Sequence, residues 1–95
     1  MSRNLIRSIG FKNIDENGSM RMFAVDYYIV TDEATGKNGV FISTKIGDTQ
    51  SEYNAAYIPG TYDEVSAMLG LLANGQVTSI GAPDVIRDYY ISVLG

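Results

Sequence analysis

Hydrophobic positions along this chain follow one period in its first half and another in its second. Residues 4–14 intersperse Leu5, Ile6, Ile9, Phe11 and Ile14 with polar residues, and Asp15-Glu16-Asn17-Gly18-Ser19 then interrupts the run. Asn-Gly tolerates positive φ at both positions and predicts a tight hairpin turn. Residues 20–31 follow, with Phe23, Val25, Tyr27 and Ile29 on one face and Met20, Met22, Ala24, Tyr28 and Val30 on the other. Successive strand side chains point to opposite sides. Two apolar faces therefore predict a central strand covered on both sides, at least in part. One of Tyr27 and Tyr28 should be core. Asp32 to Asn38 reads as a loop turning at Thr35-Gly36-Lys37-Asn38. Residues 39–46 alternate Val40, Ile42 and Ile46 with Phe41, Ser43 and Lys45, which predicts a third strand. Residues 47–60, with Gly47, Asp48, Ser51, Asn54 and Pro59-Gly60, read as a long irregular connection of the kind that often carries function.

The period then lengthens. Thr61-Tyr62-Asp63-Glu64 matches a capping box, and Val65, Met68, Leu69 and Leu72 fall on one helical face. Asn74-Gly75 supplies a stop. Gly70 is discordant inside this helix and would let it sit close to the sheet. Gln76 to Ile80 reads as a short fourth strand. Pro83 opens a stretch in which Ile86, Tyr89, Tyr90, Val93 and Leu94 recur at helical spacing opposite Asp84, Arg87, Asp88 and Ser92. Its Val, Ile and Tyr content suits a strand, but its periodicity argues for a helix. The expected architecture is one α+β domain spanning residues 1–95. A mainly antiparallel three- to four-stranded meander carries one helix on a face, and a C-terminal helix or strand completes it.

Composition narrows the chemistry. The chain has no His, no Cys and no Trp, yet seven Tyr in 95 residues. It therefore lacks the side chain that titrates near neutrality, a thiol nucleophile and the soft ligands of a transition-metal site. The expectation is a protein that is not an enzyme and uses neither metal nor cofactor. The carboxylate pairs Asp32-Glu33, Asp63-Glu64 and Asp84 with Asp88 have turn, capping or surface explanations. Asp26, in the middle of an apolar strand, should pair with Arg7 or Lys45 or else face solvent. Asn17-Gly18-Ser19 fits a glycosylation acceptor, but the turn needs the same residues. Thr35-Gly36-Lys37 lacks the spacing of a phosphate loop, and Asp15 to Gly18 lacks the closing Glu of a calcium loop.

Charge is uneven. Arg3, Arg7, Lys12, Arg21, Lys37 and Lys45 outnumber Asp15, Glu16, Asp26, Asp32 and Glu33 by one, whereas the second half sets Arg87 alone against Asp48, Glu52, Asp63, Glu64, Asp84 and Asp88. An acidic half disfavours phosphate backbones and suits a basic partner. No run approaches the ~20 apolar residues of a membrane span, and none of signal-peptide length follows the N-terminus. The expectation is a soluble cytoplasmic protein, in the host cytoplasm if viral, without membrane contact.

Tyrosine combines large contact area with a polar tip. The candidate binding residues are therefore Tyr53, Tyr57 and Tyr62, in or beside the 47–60 segment, with Asp48, Glu52 and Asp63 near them. Val40 to Ile46 followed by Ala56-Tyr57-Ile58-Pro59-Gly60-Thr61-Tyr62 resembles the Pro-Gly-x-Tyr stretch of filamentous-phage single-stranded-DNA-binding proteins, over about a fifth of the chain. That resemblance implies an OB-like fold that stacks bases on tyrosines. The chain departs from it in the helix that follows and in its net charge of −4. The leading expectation is a small acidic non-catalytic protein, viral or accessory, that docks on a larger protein and could form a homodimer. The alternative is single-stranded nucleic-acid binding by tyrosine stacking, which needs Arg7, Lys12, Arg21 and Lys45 on one face beside exposed tyrosines.

Overall fold

The computed structural model describes residues 1–94. The side chains of Val93 and Leu94 fall outside the description, and with them the expectation that they share the helical face. Strands β1 (Ser2–Ile14), β2 (Met20–Asp32), β3 (Lys37–Ile46) and β4 (Thr49–Ala55) precede helices α1 (Tyr62–Asn74) and α2 (Ala82–Leu94). The strands form one antiparallel meander in the order β1-β2-β3-β4. This is the α+β architecture expected, and its C-terminal element is a helix.

The first turn is closed by Asp15, whose carboxylate accepts hydrogen bonds from the backbone N–H groups of Asn17 and Ser19, each at 2.9 Å. Gly18 there has φ +79°, a conformation that only glycine adopts without strain. The register pairs Phe11 with Phe23, and their rings stack with centroids 4.8 Å apart. A register shift between Leu5 and Arg7 marks a bulge in β1.

Residues 47–60 are not one irregular connection. A turn at Gly47 and Asp48 leads into β4, which pairs with β3 from Ile46↔Thr49 to Val40↔Ala55. Only the segment after Ala55 is irregular, and Ile58 anchors it by donating to the Asn38 carbonyl at 2.8 Å. At Gly39 a Cβ would lie 2.1 Å from the Ala55 carbonyl oxygen, so the chain can leave β4 this way only over a glycine.

The capping box at α1 forms as expected. Thr61 Oγ1 accepts from the Glu64 N–H at 3.2 Å, and Glu64 Oε1 accepts from the Thr61 N–H at 3.0 Å. The bond from the Thr61 backbone holds the Glu64 carboxyl below the ordinary glutamate range. Val65, Met68, Leu69 and Leu72 are buried, against Val25, Tyr27, Ile29, Val40 and Ile42 of the sheet. Gly70 makes no close backbone approach. A Cβ there would meet only the Arg7 guanidinium, at 3.8 Å. The helix stops at Asn74 with Gly75 as its cap, as Asn74-Gly75 predicts, but the glycine does not supply the left-handed residue. Gln76 takes the left-handed conformation, with φ 55°, while the Gln76 and Val77 N–H groups bond the Ala73 and Leu72 carbonyls in a Schellman arrangement.

Gln76 to Ile80 is a turn and not a strand. Side chains of the sheet hold it: the Tyr27 hydroxyl donates to the Val77 carbonyl, Thr44 Oγ1 accepts from the Ser79 N–H at 2.9 Å, and the Ser51 and Ser79 hydroxyls lie 2.7 Å apart. With these bonds taken by side chains, the segment has no ladder to join. Ala82 and Ile86 of α2 then enter the same core, and the Tyr90 hydroxyl donates to the Pro59 carbonyl at 2.9 Å. Both helices therefore serve one face of the sheet. The expectation that β2 is covered on both sides is corrected: Tyr27 is buried in the core, and Tyr28 is half-buried on the other face, which carries no element among the described residues. The OB-like expectation fails too, because the sheet is an open four-stranded meander backed by helices.

Candidate interaction surface

The uncovered face is built from alternate residues of all four strands, and the register sets them in rows. Across the first row Leu5, Tyr28, Phe41 and Asn54 are neighbours, with Arg3 and Val30 beyond. Arg3 lays its guanidinium over the Phe41 ring, 4.1 Å from the centroid, and 5.5 Å from that of Tyr28. The two rings meet at a tilt with centroids 5.8 Å apart. Leu5 is 55% exposed beside them. The next row is polar, with Ser8, Asp26, Ser43 and Glu52. Then come Gly10, Ala24, Lys45 and Gln50, followed by Lys12 with Met22 and Ile14 with Met20 along the hairpin. Ile14, Met20 and Met22 are each more than half exposed. An apolar, aromatic end and an apolar, methionine-rich end thus flank a charged middle.

Asp26 does not pair with Arg7 or Lys45. Its carboxylate accepts from the Ser8 hydroxyl across the ladder and is only half-buried, so water meets the rest of its demand. Arg7 lies on the helix side near Gly70. Gln50 Nε2 donates to Ser43 Oγ at 3.2 Å and lies 3.5 Å from Glu52 Oε2. Among the described residues, none of Lys12, Lys45, Asp26 and Glu52 forms an ion pair. Their hydroxyl and amide neighbours bond one another across strands, an arrangement suited to holding a partner in register.

The six sequence-predicted site residues do not converge. Glu52 lies on the open face, whereas Tyr53, next to it, points to the helices and is half-buried against the core. Asp48 sits in the β3–β4 turn, at the far end of β4 from Tyr57. Tyr57 is 54% exposed, with Lys37 Nζ 5.2 Å from its ring centroid. It lines a hollow of about 420 Å³ with Arg3 and Val30, and so adjoins the aromatic end of the open face. Tyr62 and Asp63 are exposed in the first turn of α1. Only Glu52 and Tyr57 join the surface. Arg3, Leu5, Tyr28, Phe41, Met20 and Met22 were missed. The signal for them was the second apolar face of β2, which two helices packed on one side cannot cover. A further hollow of about 490 Å³, lined by Met20, Met22 and Ile46 among others, lies at the hairpin end.

Arg7 lies in register with the helix-facing Tyr27, and Arg21, two residues before Phe23 on β2, shares that face, whereas Lys12 and Lys45 lie on the open face. The four cations are thus divided between the two sides. No helix is long and apolar enough to cross a membrane.

No curated protein and no solved structure matches this chain. A family model described as "Family of unknown function (DUF6514)" matches residues 7–92, and the chain belongs to that family.

Proposed function

We propose that this chain is a small non-catalytic interaction protein, an accessory factor of the cytoplasm, that docks through the open face of its sheet. The carrying observation is that face itself, with Leu5, Ile14, Met20 and Met22 exposed on it and Tyr28 and Phe41 half-buried beneath Arg3. Aromatic residues, Met and Arg are the types enriched in interface cores. Two exposed apolar patches on one uncovered side of a sheet, rimmed by polar residues, mark an interaction surface. Lys12, Lys45, Asp26 and Glu52, unpaired within the described chain, would fix the partner's register.

A photo-crosslinking residue placed at Leu5 or Met22 tests this in the source cells, with Ile91 on the outer side of α2 as control. Adducts to protein should form from positions 5 and 22 and not from 91. No adduct from the sheet, or equal adducts from all three, would remove the reading.

A stacking surface for single-stranded nucleic acid is the second reading. It draws on Arg3 and Lys37 beside Tyr57, Tyr28 and Phe41. The division of cations between two faces and the adjacent Asp26 and Glu52 weigh against it. A titration with oligo-dT at low salt should give no binding, and tight binding with a steep salt slope would reverse the order of the two readings.

A further inference from the structure

The charge pattern of the open face selects its occupant. We infer that the face receives a second copy of this chain, packed face to face about a two-fold axis that runs across the strands between the Ser8–Asp26–Ser43–Glu52 row and the Gly10–Ala24–Lys45–Gln50 row. This rests on the reading of the open face as an interaction surface and names its partner.

A two-fold relating two packed faces must lie in the plane between them, and an isologous contact then places each row on its mate. An axis along the strands sets every row on itself. The acidic row would meet the acidic row and Lys45 would meet its own row, so like charges would oppose across a desolvated gap. An axis across the strands reverses the order of the rows. Centred between the acidic row and the Lys45 row, it sets those two rows opposite each other, so Lys45 of each copy comes between Asp26 and Glu52 of the other. The same operation lays Tyr28 on Met22 and Val30 on Met20, a thioether–aromatic contact and an aliphatic one. On β1 the same operation lays Leu5 on Lys12 and Arg3 on Ile14, where the long stems of the two cations run along apolar side chains. One axis thus satisfies the charge pattern together with the apolar pattern of β2.

Area points the same way. The accessible surface is 5994 Å², against about 5,400 Å² for a folded chain of this mass. Two copies that each hid the excess would bury about 1,200 Å² in total, at the lower edge of specific interfaces. The expected dimer is therefore a weak one, with dissociation in the micromolar range.

Sedimentation equilibrium of the full chain from about 1 μM to about 1 mM spans the affinities of such an interface. Wild type should pass from one chain mass to two. Lys45→Glu and Glu52→Lys should each weaken association by about tenfold or more. An equimolar mixture of the two variants should associate again, because one contact of the mixed pair keeps the wild-type charges and the other has opposite charges at positions 45 and 52 with their signs exchanged. That recovery also shows that both variants fold. A single-chain mass throughout for wild type overturns the inference, and so does a wild-type dimer that neither substitution weakens. A monomeric wild type whose sheet crosslinks to another protein would overturn this inference while leaving the docking reading in place. A monomer that crosslinks to nothing would remove both.

Discussion

Tyr27 joins the two halves of the molecule through a single hydroxyl. Its ring fills the core between β2 and the helices with no exposure, and its hydroxyl is the donor for the Val77 carbonyl. Burial pushes its pKa up to about 12. Below pH 10 both folded and unfolded states hold the proton, so stability does not change on its account. Above pH 10 the unfolded state releases the proton while the folded state keeps it. The linked stability therefore falls between pH 10 and 12, by about 2–3 kcal/mol at its end. Tyr27→Phe should cost about 1–2 kcal/mol at neutral pH by stranding the Val77 carbonyl. It should also flatten the alkaline decline, leaving the smaller slope due to Tyr90, whose pKa burial also raises. Urea unfolding at neutral pH and at pH 11 measures both effects. A variant that declines as steeply as wild type would place the titration elsewhere. Gln76 shows the other kind of residue-scale strain, a left-handed backbone on a side chain that pays for it, next to a glycine that does not use it. Gln76→Gly should stabilise by about 0.5–1 kcal/mol, since glycine adopts that conformation freely, and a lower denaturation midpoint would contradict the assignment.

Elements with a strong period and a capping signal were legible in the sequence, and elements held by tertiary bonds were not. The β1–β2 hairpin, β2, β3 and α1 follow from Asn17-Gly18, from alternation and from the capping box, and each lies where those signals put it. β4 escaped because its outward positions are Gln50, Glu52 and Asn54 and its inward positions are Ser51, Tyr53 and Ala55. An edge strand with one polar face and one small, mixed face has no apolar period to read. Gln76 to Ile80 reads as a strand in the sequence for the opposite reason. Its Val77 and Ile80 suggest one, but the bonds from Tyr27 and Thr44 that fix it come from residues 35 and more positions away. The α1 face itself gives a sharp contrast. Leu69 is fully buried between helix and sheet, so Leu69→Ala should cost about 2–4 kcal/mol. Tyr57, 54% exposed, should lose well under 1 kcal/mol on truncation to Ala. Chemical denaturation of both compares them, and equal losses would mean that α1 does not seal the core.

Over the whole molecule the sheet is a slab with one side finished. Its Cα extents are 47 × 31 × 16 Å and its radius of gyration is 14.1 Å, against about 12–13 Å for a compact domain of this length. Strands β1 and β2, of 13 residues each, set the long axis, at about 3.3 Å per residue, and helices on one face only leave the slab two layers thick. The candidate surface was half legible for this reason. The doubly apolar β2 predicts cover on its second face, but no further element among the described residues supplies it. The tyrosine-rich loop drew attention to residues that the strand alternation then scattered over both sides. The second copy inferred for the open face would bind only the folded state and so stabilise it by mass action. The melting temperature of wild type should accordingly rise with protein concentration. Leu5→Asp puts a charge into the apolar end of the face while replacing a side chain already 55% exposed, so the single chain should keep its stability. Its melting temperature should match that of dilute wild type and stay constant as concentration rises. A rise as steep as that of wild type would show that association, if it occurs, uses a different surface.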